Sequence, residues 1–118
     1  ASGVSLIFKI CHRADWERPE HTFSYSGSPK DREDGFLHFS TAEQLAGTLA
    51  KYYAEADDLV LVAVDPHGLG AALKYEPSRD RMMFPHLYAP LTYDCVKWLK
   101  DLRRDDQGNF ILPDEINV

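Results

Sequence analysis

The segment Gly35–Thr41 places a histidine and a hydroxyl group where they could bind an anion. His38 and Ser40 are two residues apart, so in an extended strand their side chains point to the same side. Residues 40–43 fit a capping box, which predicts that a helix begins here with the Ser40 hydroxyl as its cap. Because helix N-termini attract anions, we expect His38, Ser40 and Thr41 to contact a phosphate or a carboxylate. The structural alternative is a capping serine and a core histidine bonded to the backbone.

A second group of candidate residues lies in the stretch Phe84–Tyr88. A neutral imidazole can accept or donate a proton near pH 7, and a phenol can form a hydrogen bond or stack on a ring. The stretch belongs to the proline-containing segment Ser78–Pro90, which we interpret as a long loop. We therefore predict that His86 and Tyr88 line a cleft. The structural alternative is an apolar plug in which the histidine has an ordinary hydrogen-bond partner.

The stretch Tyr75–Arg79 supplies a carboxylate and a guanidinium group. Glu76 precedes a proline, and because such a residue avoids the helical region, Glu76 is expected to be extended. Arg79 could then form an ion pair with Glu76 or bind an anion through two parallel hydrogen bonds. An ordinary surface ion pair is the structural alternative.

Motifs of several common mechanisms are missing from the sequence. The chain has 5 histidines, but none of the spacings that bind zinc, such as HExxH or CxxC, is present. The GxSxG elbow, the P-loop and the GxGxxG fingerprint are also missing. The sequence therefore predicts no metal site and none of these three mechanisms. Cys11 and Cys95 are expected to be buried thiols.

The charge balance argues against a dedicated nucleic-acid surface. The chain carries 13 Lys and Arg against 19 Asp and Glu, a formal net charge of −6. Neutralising the phosphates of a nucleic acid requires a surplus of cations on the binding face.

No run of about 18 apolar residues is present, which predicts that the chain has no membrane span. The first residues lack the features of a secretory signal, so the cytoplasm is the expected location.

The elements that must position these residues are about six strands and one main helix, in a single domain of residues 1–118. The helix is predicted over Ala42–Tyr53, where apolar residues recur every three or four positions. A shorter helix is expected over Arg13–Arg18, ended by Pro19. The predicted strands are Leu6–Ile10, Thr22–Tyr25, Phe36–Phe39, Leu59–Val64, Leu73–Glu76 and Cys95–Leu99, with Gly27–Gly35 as a loop. This order favours an α+β fold over a regular alternation of strands and helices.

The motifs taken together resemble a bacterial family known as domain of unknown function 952. The resemblance extends from about Leu6 to Trp98, most of the chain. The stretches that carry it are Phe8–Ile10, Trp16-Glu17, Gly27–Pro29, Asp31, Asp34–Phe36, His38–Thr41 with Gln44, Asp58–Leu61, Glu76–Arg79 and Phe84–Tyr88.

The resemblance implies a compact member of the ADP-ribosyltransferase-like superfamily. Such a fold is a split β-structure, here with one main helix after the His-x-Ser strand, and its cleft holds NAD in the active relatives. The resemblance places Lys9 where active transferases carry a histidine or an arginine for the nicotinamide-side ribose. The late catalytic glutamate of those enzymes has no evident counterpart, since Glu115 lies in the C-terminal tail.

The leading hypothesis is a domain that binds a nucleotide or another small anionic molecule, with NAD as the implied cofactor. Lys9, Ser40, Thr41, Arg79 and Tyr88 are then the ligand-binding residues. For a catalytic version, transfer of ADP-ribose or of a phosphoryl group fits best, with His38, His86 and Glu76 as the catalytic residues. Glu76 or His86 is the candidate base, because a group must accept the proton of the attacking hydroxyl.

Two other hypotheses belong to different classes. The first is a non-catalytic binding or interaction module, which a surface aromatic patch of Phe84, Tyr88 and Trp98 would favour. The second is a metal-dependent hydrolase that uses His38 and His86.

Overall fold

The computed structural model of the protein describes residues 6–18, 24–77 and 82–117. These residues form ten strands and three α-helices. The strands are β1 (Ile7–His12), β2 (Ser24–Tyr25), β3 (Leu37–His38), β4 (Ser40–Thr41), β5 (Leu59–Val64), β6 (Leu73–Pro77), β7 (Met83–Leu87), β8 (Leu91–Thr92), β9 (Val96–Arg104) and β10 (Phe110–Ile111). The helices are α1 (Arg13–Trp16), α2 (Pro29–Asp34) and α3 (Leu45–Tyr52). The predicted mixture of strands and few helices is confirmed.

The strands form three antiparallel sheets. The main sheet has five strands in the order β10-β9-β5-β1-β4, and the smaller sheets are β2-β8 and β3-β7-β6. Strand β5 consists of Val, Leu and Ala only and is buried along its whole length, as predicted for a central strand. Strand β1 pairs with β5 on one side and with β4 on the other, so its side chains are also buried from Ile7 to Cys11.

Two hydrophobic clusters cover the two faces of the main sheet. On one face, alternate residues of β1 and β5 pack against the smaller sheets, with Tyr25, Leu37, Leu87 and Leu91 in the contact. On the other face, the remaining residues of β1 and β5 pack against α3 through Leu45 and Leu49. This alternation follows from the two-residue period of a strand. Lys9 is therefore carried into the interior by a strand that is apolar on both sides of it.

A single residue, Phe39, separates β3 from β4, although these strands belong to different sheets. The Phe39 side chain is buried, and its amide donates a hydrogen bond to the Pro85 carbonyl at 3.0 Å. Across the sheets, His38 pairs with His86 and Ser40 pairs with Phe8. The single predicted strand Phe36–Phe39 was therefore wrong in extent, because the chain changes sheets within it.

Two segments predicted as loops contain regular structure. Helix α2 lies within Gly27–Gly35; Ser28 is its cap, Asp31 completes a capping box, and Pro29 is the first helical residue. Strand β7 lies within Ser78–Pro90, because it pairs with β3 and β6, so His86 is a strand residue and not a loop residue.

The predicted capping role of Ser40 was wrong. Ser40 is paired within the sheet, and the capping box belongs to Thr41 and Gln44 at the start of a 3₁₀ turn, Ala42–Gln44, that leads into α3. The main helical segment predicted after the His-x-Ser strand is confirmed.

Cys11 and Cys95 are buried free thiols, as predicted. Of the helices in the described residues, none has the length and apolar character that crossing a membrane requires.

Gly27 leads into α2, and its backbone conformation explains why a glycine is needed there. Its φ is +109°, and a Cβ at this position would lie 2.7 Å from both Asp31 Cβ and Leu37 Cδ2. We predict that Gly27→Ala lowers the free energy of unfolding by about 2–5 kcal/mol, from overpacking and the unfavourable φ together. Chemical denaturation measures this loss.

Gly108→Ala is the matched control. Gly108 also has a positive φ, +84°, but nothing lies within 4 Å of its added Cβ. The control is expected to lose only about 1–2 kcal/mol from the backbone term. Equal losses in the two variants would show that the packing against Asp31 and Leu37 contributes nothing.

Candidate functional site

A cleft of about 680 Å³ lies beside β1, where α2, α3 and strands of two sheets meet. Its volume is in the range of small-molecule sites. The polar and charged residues on its wall are Lys9, His12, Asp15, Ser28, Lys30, Asp31, Asp34, His38, Ser40, Thr48 and His86. Its aromatic wall residues, apart from the histidines, are Phe8, Phe39, Tyr52, Tyr53 and Phe84.

A buried ion pair lies at the base of this wall. Lys9 Nζ is 2.8 Å from Asp31 Oδ2, and the side chains are 4% and 2% exposed. Lys9 Nζ also donates a hydrogen bond to the His38 carbonyl oxygen at 3.0 Å. Burial alone would lower the pKa of Lys9, but the Asp31 carboxylate beside it raises that pKa above its ordinary value. The ammonium group is therefore charged at neutral pH.

Asp31 has partners for both of its carboxylate oxygens. Oδ2 accepts from the Ser28 amide at 3.0 Å, in addition to its contact with Lys9. Oδ1 accepts from the His38 amide at 3.2 Å and lies 2.5 Å from His38 Nδ1. Burial would raise the pKa of Asp31, but the hydrogen bond from His38 and the charge of Lys9 hold it well below its usual value. Asp31 is therefore an ionised group that orients the His38 ring.

The second nitrogen of His38 also faces a carboxylate. His38 Nε2 is 2.9 Å from Asp34 Oδ2, and this Asp34 oxygen is 3.5 Å from Lys30 Nζ. Asp34 lies at the end of α2 and its side chain is 28% exposed. A ligand that bonds to His38 Nε2 must therefore displace the Asp34 carboxylate first.

His86 belongs to a second hydrogen-bonded group, on the three-stranded sheet. His86 Nδ1 is 2.9 Å from Glu76 Oε1, and the Tyr88 hydroxyl donates to the same oxygen at 2.6 Å. The hydrogen bonds from Tyr88 and His86 lower the pKa of Glu76, and Glu76 in turn raises the pKa of Tyr88. Glu76 and Tyr88 are not on the cleft wall.

Phe36 connects the two histidines. Its ring stacks on His86 with centroids 4.2 Å apart, and it lies 4.7 Å from the His38 ring and 5.1 Å from the Tyr88 ring. The two imidazole rings meet edge to face at 5.7 Å. The rings therefore form one packed group, which limits rotation of both imidazoles.

The structure brings four of the predicted site residues to one cleft: Lys9, His38, Ser40 and His86. Ser40 is buried, and its hydroxyl is 3.3 Å from the Thr48 hydroxyl of α3. Thr41 is not on the cleft wall, and its amide donates to Gln44 Oε1. Glu76 and Tyr88 are not on the cleft wall: Glu76 contacts His86, and Tyr88 contacts Glu76. Arg79 lies outside the described residues.

The aromatic patch that would favour an interaction module does not form as proposed. Phe84 is 6% exposed and lines the cleft, while Trp98 is partly buried and packs against Phe8 with ring centroids 5.9 Å apart. Tyr88 is exposed, but it is hydrogen-bonded to Glu76. The three rings therefore do not share a free surface.

Sequence reasoning missed Asp31 and Asp34 as site residues. A signal was present: Ser28 and Asp31 have the spacing of a capping box, Pro29 follows the cap, and Gly35 can end the helix. A six-residue helix with these caps would have placed both aspartates near the following strand. In the residues that the structure describes, no three His, Cys, Asp or Glu side chains are grouped as metal ligands.

Cys11 lies on the cleft wall but is not suited to act as a nucleophile. Burial raises the pKa of its thiol to about 11, although the charge of Lys9 opposes this shift. Because the thiolate is the reactive form, a thiol with this pKa has little reactivity at neutral pH.

Removing one member of the buried ion pair tests its structural role. We predict that Lys9→Met lowers the free energy of unfolding by about 3–5 kcal/mol, because Asp31 is left charged and buried without its cation. Lys30→Met is the control, since Lys30 is 71% exposed and its pairing with Asp34 is worth about 1 kcal/mol or less. Urea denaturation compares the two variants. Similar small losses would contradict the structural role of the buried pair.

The same pair predicts how stability depends on acid. The pKa of Asp31 is lower in the folded protein than its unfolded value of about 3.9. The resulting stabilisation is present above about pH 4 and is lost as the pH falls toward the folded pKa. We expect the stability difference between the wild type and Asp31→Asn to shrink between pH 5 and pH 2. A difference that is constant over this range would contradict the low pKa.

Comparison with known proteins identifies relatives of the chain. A protein-family model described as "Protein of unknown function (DUF952)" matches residues 10–99. The chain is similar to the crystal structure of protein CC0527 from Caulobacter crescentus, with 40% identity and a TM-score of 0.87 over 97% of this chain and 100% of that one. A crystal structure of a double mutant of CC0527 gives 39% identity and a TM-score of 0.86, with the same coverage of 97% and 100%.

The solution structure of CC0527 is 42% identical, with a TM-score of 0.76 over 88% of this chain and 90% of that one. No curated protein matches the chain. These relatives come with no stated activity, so the ADP-ribosyltransferase-like relationship stays a prediction. The family model covers well over half of the sequence, and the chain therefore belongs to the DUF952 family of proteins of unknown function.

Proposed function

We propose that the cleft binds a nucleotide-like small molecule, one that combines a planar ring with several hydroxyl or phosphate oxygens. The observation that carries this proposal is that one cleft combines aromatic wall residues with polar residues whose charges are paired, such as Lys9 and Asp31. NAD is the ligand that the family resemblance implies. The cleft corresponds in this proposal to the NAD-holding cleft of an ADP-ribosyltransferase-like fold.

The aromatic part of the wall suits a planar ring. Tyr52, at the end of α3, is 60% exposed and lines the cleft, as do Tyr53 and Phe84. Stacking of a base on an aromatic side chain contributes about 1–3 kcal/mol. A ring system can therefore gain affinity here without a charge of its own.

The polar part of the wall suits a sugar better than a phosphate. Lys9 is paired with Asp31, and Lys30 lies near Asp34, so the cations on the wall already have anionic partners. The hydroxyls of Ser40 and Thr48 can both donate and accept hydrogen bonds, as recognition of a ribose requires. We propose that the described wall holds the ring and the sugar, and that Arg79 supplies charge to the phosphates.

The reaction that we propose for a catalytic form is transfer of ADP-ribose or of a phosphoryl group. His86 is the better candidate base, since it lies on the cleft wall and Glu76 does not.

One observation favours a non-catalytic binding module as the second candidate function. Both nitrogens of His38 face aspartate carboxylates, so the ring is held in one orientation and a ligand reaches neither nitrogen without displacing a carboxylate.

Calorimetry tests the binding proposal. The protein at more than about 0.1 mM is titrated with NAD, with ADP-ribose and with an RNA that has a phosphorylated end. We expect heat from at least one of these ligands. No heat from any of them would overturn the nucleotide version of the proposal.

A pair of tyrosine variants localises the site. Tyr52→Ala removes an exposed ring from the cleft wall, and we predict that it raises Kd about tenfold, from lost stacking. Tyr75→Ala is the matched control, because Tyr75 is 48% exposed and does not line the cleft. Calorimetry with the ligand that binds the wild type measures both constants. Equal effects of the two substitutions would place binding outside the cleft.

A further inference from the structure

We propose that Glu76 is a positioning residue that fixes the tautomer of His86, so that Nδ1 carries the proton and Nε2 is left as an acceptor beside the cleft. His86 is on the cleft wall, whereas Glu76, which contacts its Nδ1, and Tyr88, which donates to Glu76, are not. The inference deepens the proposed function, on which it rests in one respect: a ligand that enters the cleft brings a hydroxyl near His86.

The tautomer follows from the chemistry of the contact. An ionised carboxylate only accepts hydrogen bonds, so at the 2.9 Å contact with Glu76 Oε1 the hydrogen must lie on His86 Nδ1. In the neutral form of the ring, which has one N–H, Nε2 then carries the lone pair. The Tyr88 hydroxyl donates to the same Glu76 oxygen at 2.6 Å, which further favours the ionised form of the carboxylate.

The surroundings of His86 hold its ring in one orientation. His86 is 5% exposed, and Phe36 stacks on its face at 4.2 Å. Among the residues that the structure describes, the ionisable groups that face it come from two neighbouring strands. These are Glu76 of β6 and His38 of β3, and the His38 ring is 5.7 Å away. Lys74 is its cross-strand partner on β6, with its ammonium group over the Tyr88 ring at 5.5 Å.

The comparison with His38 shows why His86 is the residue with an available nitrogen. His38 Nδ1 faces Asp31 and its Nε2 faces Asp34. Among the residues that the structure describes, His86 has a carboxylate at Nδ1 only. Of His38 and His86, His86 is therefore the one that can accept a hydrogen bond or a proton from a ligand hydroxyl through Nε2.

Long-range ¹H–¹⁵N correlation spectra of the protein labelled at histidine test the inference directly. The spectra are recorded near neutral pH on the protein alone, so no ligand has to be known. We expect His86 to show the pattern of a single Nδ1–H tautomer. We expect Glu76→Ala to remove this single-tautomer pattern of His86. The pattern of the His38 resonances is expected to stay unchanged.

Two variants separate the positioning role from a general change in structure. Glu43→Ala removes an exposed carboxylate from the 3₁₀ turn before α3, and it is expected to leave the His86 pattern unchanged. Tyr88→Phe removes the phenolic hydroxyl and keeps the contact between Glu76 and His86, so the Nδ1–H tautomer is expected to persist. Amide spectra confirm that each variant is folded.

Two results would overturn the inference: an Nε2–H tautomer of His86 in the wild type, or an unchanged His86 pattern in Glu76→Ala. The proposed function is tested separately, by the binding of nucleotides. If the tautomer is as expected and no nucleotide binds, the positioning role of Glu76 stands and the nucleotide ligand is excluded.

Discussion

The buried ion pair between Lys9 and Asp31 is the interaction on which the cleft depends. Two charges removed from water stabilise a fold only when their geometry is good and their remaining hydrogen-bonding groups have partners. Asp31 meets this condition through the amides of Ser28 and His38. Because Lys9 is on β1 and Asp31 is on α2, one contact holds this short helix against the main sheet. The orientation of the His38 ring then follows from the same carboxylate.

The parts of the fold that could be predicted are those whose pattern is local. The apolar run Leu59–Val64 specifies a buried strand by composition alone, and the period of the segment after Thr41 specifies α3. His38, Ser40 and His86 could be singled out because imidazole and hydroxyl groups amid apolar residues are unusual. Their meeting on one cleft wall was a hypothesis that the geometry supports.

The rest depends on contacts between distant parts of the chain. Strand β7 contains Pro85, and because proline is unusual inside a strand, its own residues favour a loop. Its pairing with β3 and β6 is what makes it a strand. Helix α2 is highly charged and six residues long, too short for an apolar period to be visible. The burial of Asp31 could not be foreseen, because it requires Lys9, more than twenty positions earlier, to face the same interior point. For the same reason, the contact between Glu76 and the His86 ring could not be foreseen, because it depends on the pairing of β6 with β7.

The passage of the chain from one sheet to another within the single residue Phe39 constrains how this protein can vary. His38 and Ser40 reach the cleft from two sheets, and the two-residue period of a strand keeps them on that side. Inserting or deleting one residue here would turn one of the two strands over and exchange its inward and outward side chains. Length changes in the family should therefore be found elsewhere, for instance at the exposed turn of residues 105–109. The stretch Leu37–Thr41 should keep its length even where its side chains differ.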